Sequence, residues 1–395
     1  MKKFLALMIA VVMAFSMVAV PVSAADAAAD LEKVETTVND AFDYVESLME
    51  SIHTLVGGIL AVFDKECPFC DEIHKSAPET PDEPETPEEP SEPEEPTEPE
   101  KPEVVYPTVP ENFPAKVEAP ENAIVVETVE GLADAIANAE DGAYIVLADG
   151  TYDEILLTKG NITLAANDAT VGFINLNGKS NITLVNIKFD AAGAKAVFRG
   201  DGKETGFVAS IASTLKGKSS ADGHDIVIKG CTFSGEAAEG YTPIYANDYK
   251  RSSYHAYNYT IDGCLFETNA AYYVYLNALV QGDIIIKNNF FGGKDVKCAG
   301  ILWGSSNGSD ITFENNTAFN WTGAGIGGSR SGASYPIEVQ VRNNTFVQVA
   351  EGANTDYVYL KNYKTKDTFD VVDSLNSFVG TITAENANVY YEALA

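Results

Sequence analysis

The residues best suited to binding a ligand are aromatic and cationic side chains in the second half of the chain. They are Trp303, Trp321 and Tyr335, together with Lys250 and Arg251. Aromatic faces can stack on sugar rings, and cations can bind the acidic groups that some sugars carry. We therefore predict that these five residues contact a polysaccharide if the fold brings them to one surface. The alternative is that the rings pack inside the protein.

Other clusters of reactive side chains are less specific. Cys67, Cys70 and His74 form a CxxC with a nearby histidine, but a fourth zinc ligand is not evident in the sequence. A local disulfide or a bridge between two chains is the simpler interpretation of the cysteines. His224 and His255 lie in insertions, where a single histidine is more often solvated than catalytic.

A repeated pattern predicts the scaffold that positions these side chains. The repeat has a polar first residue, alternating aliphatic residues, a polar pair and usually Phe, and it begins at residues 161, 181, 225, 258, 283, 310, 338 and 370. Stacked coils place equivalent residues roughly 4.8 Å apart, so pairs such as Asn288 and Asn289 can form corner ladders. Cys231 and Cys264 replace the second asparagine in two repeats and are predicted to stack, as a disulfide or as two buried thiols. The pattern predicts an all-β solenoid, a parallel β-helix.

The segment before the repeats predicts a cap and carries a family resemblance. Residues 129–139 are predicted to form a short amphipathic helix that covers the exposed end of the solenoid, followed by the strand YIVLADGTY. With the NITL and NNTF repeats, this segment resembles the pectate-lyase-like right-handed parallel β-helix superfamily over residues 122–380. The resemblance implies the fold, whereas the superfamily includes lyases, hydrolases, adhesins and structural modules.

A narrower resemblance concerns GIGGSRSGASYPIEVQVRNNTF and the following VYLKNYKT, which are similar to the alginate and chondroitin lyase branch. It implies that Arg330 is the arginine of a Ser-Arg-Ser stretch, that Lys361 is the base and that Glu351 is a calcium ligand. Removing the proton beside a carboxylate requires a neutral base and positive charge near the developing enolate. The branch's Asn-Lys-Ser is Leu-Lys-Asn here, and no arginine follows Arg342, where a second catalytic arginine is expected.

The N-terminal part of the chain predicts three regions before the β-helix domain of residues 122–395. Residues 1–24 have two lysines, an apolar run and a small-residue cleavage site, which is typical of a secretion signal. Residues 25–75 contain apolar residues at heptad spacing and then CPFC, which predicts an amphipathic, coiled-coil-like helix. Its stretch 31–62 is predicted to self-associate or dock a partner, with packing on a surface or on its own domain as alternatives. Residues 76–121 are a Pro/Glu-rich linker and lead-in, whose acidic, proline-rich part is predicted to be disordered.

The charge limits the partners. The chain has 26 Lys and Arg against 58 Asp and Glu, a formal net charge of -32, which disfavours nucleic acid and anionic membranes. We predict a secreted or cell-surface β-helix, without a membrane span after signal cleavage, that contacts polysaccharide through its lateral face. The alternatives are a calcium-assisted uronate lyase acting by β-elimination and a purely structural stalk or adhesin.

Overall fold

The structure, a computed structural model, describes one region of the chain. The described residues are 104–198, 203–213, 223–247, 257–277, 282–292, 298–304, 309–329, 336–363 and 367–393. The chain divides into a unit of residues 1–98 and a unit of residues 99–395, and only the second contains described residues. The predicted secretion signal, the heptad helix and the Cys67–Cys70 pair lie outside the described residues and stay predictions. Within the described residues, no helix has the length and apolar character needed to cross a membrane.

The described domain consists mainly of short strands. Helix α1 spans Leu132–Asn138, and two 3-10 helices span Ala191–Gly193 and Asp373–Leu375. The first fourteen strands are β1 (Ile124–Val125), β2 (Ala143–Leu147), β3 (Gly150–Leu156), β4 (Ile162–Ala166), β5 (Ala169–Asn175), β6 (Ile182–Val185), β7 (Lys188–Asp190), β8 (Lys195–Phe198), β9 (Glu204–Ala209), β10 (Ile211–Ala212), β11 (His224–Lys229), β12 (Thr232–Ser234), β13 (Ile244–Asn247) and β14 (Tyr257–Asp262). The others are β15 (Leu265–Phe266), β16 (Ala270–Asn277), β17 (Asp283–Lys287), β18 (Phe290–Phe291), β19 (Cys298–Gly304), β20 (Asp310–Glu314), β21 (Thr317–Phe319), β22 (Trp321–Ser329), β23 (Glu338–Arg342), β24 (Thr345–Gln348), β25 (Asp356–Tyr363), β26 (Thr368–Val371), β27 (Ser377–Gly380) and β28 (Asn388–Ala393).

Two long parallel sheets form the walls of the domain. The first, face 1, has the order β1-β2-β4-β6-β11-β14-β17-β20-β23-β26. The second divides at β5, where Thr170 and Val171 pair with β7, whereas Ile174 and Asn175 pair with β10. Face 2 is therefore β7-β12-β15-β18-β21-β24-β27, and face 3 is β10-β13-β16-β19-β22-β25-β28. Strand β3 also pairs with β5, and β8 and β9 form a separate antiparallel hairpin.

Every predicted repeat is a strand of face 1, which confirms the parallel β-helix. The eight repeats correspond to β4, β6, β11, β14, β17, β20, β23 and β26. In the eighth, the strand begins at Thr368, which pairs with Glu338, rather than at the predicted residue 370. Alternate aliphatic residues point inward, as Ile284 and Ile286 do in β17, where both are fully buried. Phenylalanines from successive face 2 strands stack inside the coils, and the ring centroids of Phe233 and Phe266 are 4.6 Å apart.

Helix α1 confirms the predicted cap and is shorter than the predicted 129–139. Leu132 and Ile136 lie four residues apart on one side of the helix, and both are buried in the main core. The helix lies between β1 and β2 in the chain and contacts β2. It therefore covers apolar surface at the first coils.

The corner between faces 1 and 2 explains the asparagine pair. The first residue of each pair turns the chain: Asn288, Asn315 and Asn343 have φ values of 58, 55 and 59°, and Gly230 and Gly263 have the same left-handed conformation. The second residue is buried and forms a ladder along the solenoid. In this ladder the Nδ2 of each side chain donates to the Oδ1 of the next at 3.0 to 3.2 Å, in the order Asn289, Asn316, Asn344 and Asn376.

The ladder also binds backbone in neighbouring coils. The Oδ1 of Asn316 accepts the backbone N–H of Asn289 at 2.9 Å, and its Nδ2 donates to the carbonyl of Ile286 at 3.0 Å. The ladder ends at Cys264, whose backbone N–H donates to the Oδ1 of Asn289 at 2.8 Å. The amides of Asn289, Asn316 and Asn344 therefore each join three coils, Asn376 joins its own coil to the preceding one, and the polar atoms of all four are paired.

Cys231 and Cys264 continue this column as two free, buried thiols, so the disulfide alternative is wrong. Their coils are adjacent, since the backbone N–H of Leu265 donates to the carbonyl of Cys231 at 2.9 Å. Burial, and then the neighbouring Cys231, raises the pKa of the Cys264 thiol well above its usual value. A thiol that stays protonated in an apolar interior is a packing group rather than a nucleophile.

The lead-in strap, residues 104–121, packs on the outside of face 2. Tyr106 and Phe113 lie against an outward apolar stripe formed by Leu265, Phe290, Phe319 and Val347. Nearer the first coils, the Asn186 side chain holds the backbone of Val117, donating to its carbonyl at 2.7 Å and accepting its N–H at 3.1 Å. The strap therefore runs back along the solenoid, opposite to the order in which the coils stack.

Replacing the buried ladder residue by Asn316→Ala should lower the free energy of unfolding by about 3 kcal/mol, because the buried N–H groups of Asn289 and the carbonyl of Ile286 lose their partner. Urea unfolding followed by circular dichroism measures this change. The control is Asn315→Gly at the exposed corner, where φ suits glycine, and we expect a change within about 1 kcal/mol. Equal effects of the two substitutions would contradict the ladder's role.

Candidate functional site

The outward surface of face 3 carries a column of aromatic residues, the aromatic column. Strand pairing places its members in register from coil to coil, with Gly327 occupying one position between them; they are Tyr245, Tyr275, Trp303, Tyr359 and Tyr390. Their neighbours in each strand point inward, as Val358 and Leu360 do on either side of Tyr359. The column therefore follows the solenoid axis on the lateral surface.

The rings of the column stack on one another. Tyr245 and Tyr275 have centroids 5.4 Å apart and an interplanar angle of 11°, and Tyr359 and Tyr390 have centroids 4.7 Å apart at 6°. Trp303 reaches Tyr359 across one coil at 6.4 Å. This contact requires glycine between them, because a Cβ at Gly327 would lie 2.5 Å from the Trp303 indole. Exposure increases along the column, from 2% at Tyr245 to 38% at Tyr390.

A groove lies at the buried end of the column, with a volume of about 420 Å³. Its walls come from the β8–β9 hairpin and from strands β13 and β16, and its lining residues are Lys203, Glu204, Thr205, Phe207, Tyr245, Asn247, Tyr275 and Asn277. Phe207 lies beside both tyrosine rings, 6.0 Å from Tyr245 and 5.4 Å from Tyr275. The hairpin therefore forms one side of the groove, and face 3 forms its floor.

The polar groups of the groove are mainly amides and phenols. Asn247 and Asn277 are paired in register in β13 and β16, and the Nδ2 of Asn277 donates to the Tyr275 hydroxyl at 3.2 Å. Burial raises the pKa of Tyr275 above its usual value, so its hydroxyl remains neutral and can both donate and accept. The groove thus combines aromatic faces with neutral hydrogen-bonding groups.

The predicted polysaccharide-binding residues do not all lie on this surface. Trp303 is a half-buried member of the column. Trp321 is not: it is 2% exposed and packs edge-to-face on Phe346 in the core, so the alternative of a ring packed inside the protein holds for this residue. The insertions differ in length, so Trp321 pairs with Cys298 rather than with Trp303. Tyr335, Lys250 and Arg251 lie outside the described residues.

Of the predicted lyase residues, the structure describes Lys361 and Glu351. Lys361 lies in β25 on face 3, where its Nζ is 3.5 Å from the Glu392 carboxylate, and Arg330 lies outside the described residues. Glu351 is exposed in a turn. Calcium prefers several carboxylate and carbonyl oxygens, and the described residues contain no group of three or more His, Cys, Asp or Glu able to hold a metal ion. The predicted calcium site around Glu351 stays a prediction.

The neighbours of His224 fit a structural role for this residue. It begins β11, its ring stacks on Tyr257 with centroids 4.5 Å apart, and its Nδ1 lies 2.6 Å from the Asp225 carboxylate. His224 and Tyr257 are in register on face 1. His255 lies outside the described residues.

Sequence reasoning missed Tyr359, Tyr390 and the two groove asparagines. The signal was a four-residue pattern of aliphatic, tyrosine, apolar and polar residues, which appears as IYAN, VYLN, VYLK and VYYE in β13, β16, β25 and β28. Alternation along a strand puts the tyrosine and the polar residue on the same side. Aligning these short segments predicts both the column and its neighbouring polar positions.

A comparison with protein families supports the same fold as the parallel sheets. Residues 172–365 match the family model described as a right handed beta helix region. Together with the parallel strand order, this match shows that the domain is a right-handed parallel β-helix. Neither the curated proteins nor the solved structures gave a match. The fold alone does not assign a function, which has to come from the site.

The different surroundings of the two tryptophans predict different effects on stability. Trp321→Ala removes a buried ring and should lower the free energy of unfolding by about 4 kcal/mol. Trp303→Ala removes a half-buried ring from the surface, and we expect a loss of about 1 kcal/mol or less. Chemical denaturation of both variants measures the difference, and a larger loss for Trp303→Ala would contradict their placement.

Proposed function

We propose that this β-helix binds a polysaccharide through face 3. The observation that carries the proposal is the aromatic column, in which every coil from Tyr245 to Tyr390 contributes one ring except the coil of Gly327. Ordinary packing does not require aromatic residues on the outward side of a strand. Their flat apolar surfaces suit the apolar faces of sugar rings.

The groove supports the same proposal. Its volume of about 420 Å³ lies in the range of small-ligand sites, roughly 300 to 1,000 Å³. Asn247 and Asn277 lie beside the tyrosines, and amides can donate to and accept from sugar hydroxyls. The column extends beyond the groove through Trp303, so a polymer has more contacts available than a single sugar.

The proposal concerns binding and includes no catalytic step. The ion pair of Lys361 with Glu392 gives no specific support to proton abstraction by Lys361. We propose that the protein is secreted. A secreted protein would have access to polysaccharides at a cell surface or outside the cell. If the protein binds no polysaccharide, the alternative is that it is a purely structural stalk.

The test is affinity electrophoresis and calorimetry of the full chain against a panel of neutral and acidic polysaccharides. We expect retention by at least one polymer, weakened at least tenfold by Trp303→Ala and by Tyr359→Ala, because each loses a stacking surface on face 3. The matched control is Tyr257→Ala, which removes a stacked ring from face 1. No retention by any polymer, or equal losses for all three variants, would overturn the proposal.

A further inference from the structure

We infer that the groove of face 3 takes a neutral glycan, rich in hydroxyl groups but without carboxylates or sulfates, whose chain runs along the solenoid axis. This inference rests on the proposed function. It adds the class of glycan and its direction on the surface.

The charges of the groove argue for a neutral ligand. Among the described residues that line it, Lys203 and Glu204 are charged, have opposite signs and are adjacent in the chain. Further along face 3, Lys361 is 3.5 Å from Glu392, so its charge is balanced on the protein. The described residues therefore give this surface no excess of positive charge, while the whole chain carries a net charge of -32. An acidic polymer would be repelled at long range, whereas a neutral one would not.

The hydrogen-bonding groups argue for hydroxyls. Each of two successive coils presents one ring and one amide on the same side of a strand, Tyr245 with Asn247 and Tyr275 with Asn277. An amide offers donors and an acceptor together, which suits neighbouring hydroxyls on one sugar, whereas carboxylates and sulfates are best bound by cations. The ring and the amide together match the apolar face and the hydroxyl edge of a pyranose.

The direction of the chain follows from the register. The ring–amide pair repeats from one coil to the next, and the column continues past Tyr275 to Trp303. Phe207 and the β8–β9 hairpin stand along one side of the groove. A ligand lying across the coils would meet this wall, whereas one lying along the axis meets equivalent groups in successive coils.

The experiment measures affinity for neutral and acidic polymers by calorimetry on the full chain. The neutral probes are glucan, mannan, xylan and galactan, and the acidic probes are polygalacturonate, alginate and chondroitin sulfate, each with calcium and with a chelator. We expect at least one neutral polymer to bind at least tenfold more tightly than every acidic one, with less than a twofold change between 50 mM and 500 mM salt, because no ion pairs form. Oligomers of that polymer should bind more tightly as they lengthen from two to four sugars.

Two substitutions test the residues. Asn277→Leu and Tyr275→Ala should each weaken binding of the neutral polymer at least tenfold, while Tyr257→Ala on face 1 should change it less than twofold. Circular dichroism and the unfolding midpoint verify that each variant is folded. If a variant is unfolded, Asn277→Ser and Tyr275→Leu take its place.

The outcomes separate this inference from the proposed function. Binding of an acidic polymer as tightly as, or more tightly than, any neutral one overturns the neutral class but leaves polysaccharide binding in place. Affinity that is independent of oligomer length overturns the axial direction. Absence of binding to every probe overturns both the inference and the proposed function.

Discussion

The buried amide ladder at the corner between faces 1 and 2 is the constraint on which the rest of the domain depends. The side chains of Asn289, Asn316 and Asn344 bond to the amide of the next coil and to backbone of the preceding coil, and Asn376 ends the series. All four members are at least nine-tenths buried. Sliding one coil relative to another would leave these groups unpaired in an interior where water cannot replace them. The ladder thus fixes the stacking of the coils from Asn289 to Asn376, and with it the alignment of the aromatic column from Trp303 to Tyr390.

Charges on face 1 follow the same alignment. The outward residue near the end of each strand alternates in sign from coil to coil, in the order Lys229, Asp262, Lys287, Glu314 and Arg342. Two of the contacts are ion pairs, Lys287 with Asp262 at 3.9 Å and Arg342 with Glu314 at 3.4 Å. Such exposed pairs contribute little energy each. Their alternation nevertheless disfavours a shift by one coil, which would bring like charges together.

The sequence predicted the parts of the fold that depend on local patterns. The repeats, the left-handed asparagines and the capping helix each follow from a few adjacent residues. The location of Trp321 did not follow, because insertions of different lengths separate the face 3 strands and hide their register. The sequence pattern also did not predict that Phe113 packs in the same cluster as Phe290, because the two residues are distant in the chain and no repeat relates them. The aromatic column was partly predicted, through Trp303, because its short tyrosine segments are recognisable only after alignment by coil.

The lead-in strap determines where the two ends of the described domain lie. Tyr106 and Val379 pack against the same outward apolar stripe, and Tyr106 lies beside Gly380 in β27, the last strand of face 2. Strand β28 pairs with β25 as the last strand of face 3. The domain therefore has its entry and its exit at the same pole, and helix α1 lies at the opposite, distal pole. The groove between Tyr245 and Tyr275 belongs to the distal half of the column, and Tyr390 belongs to the proximal half.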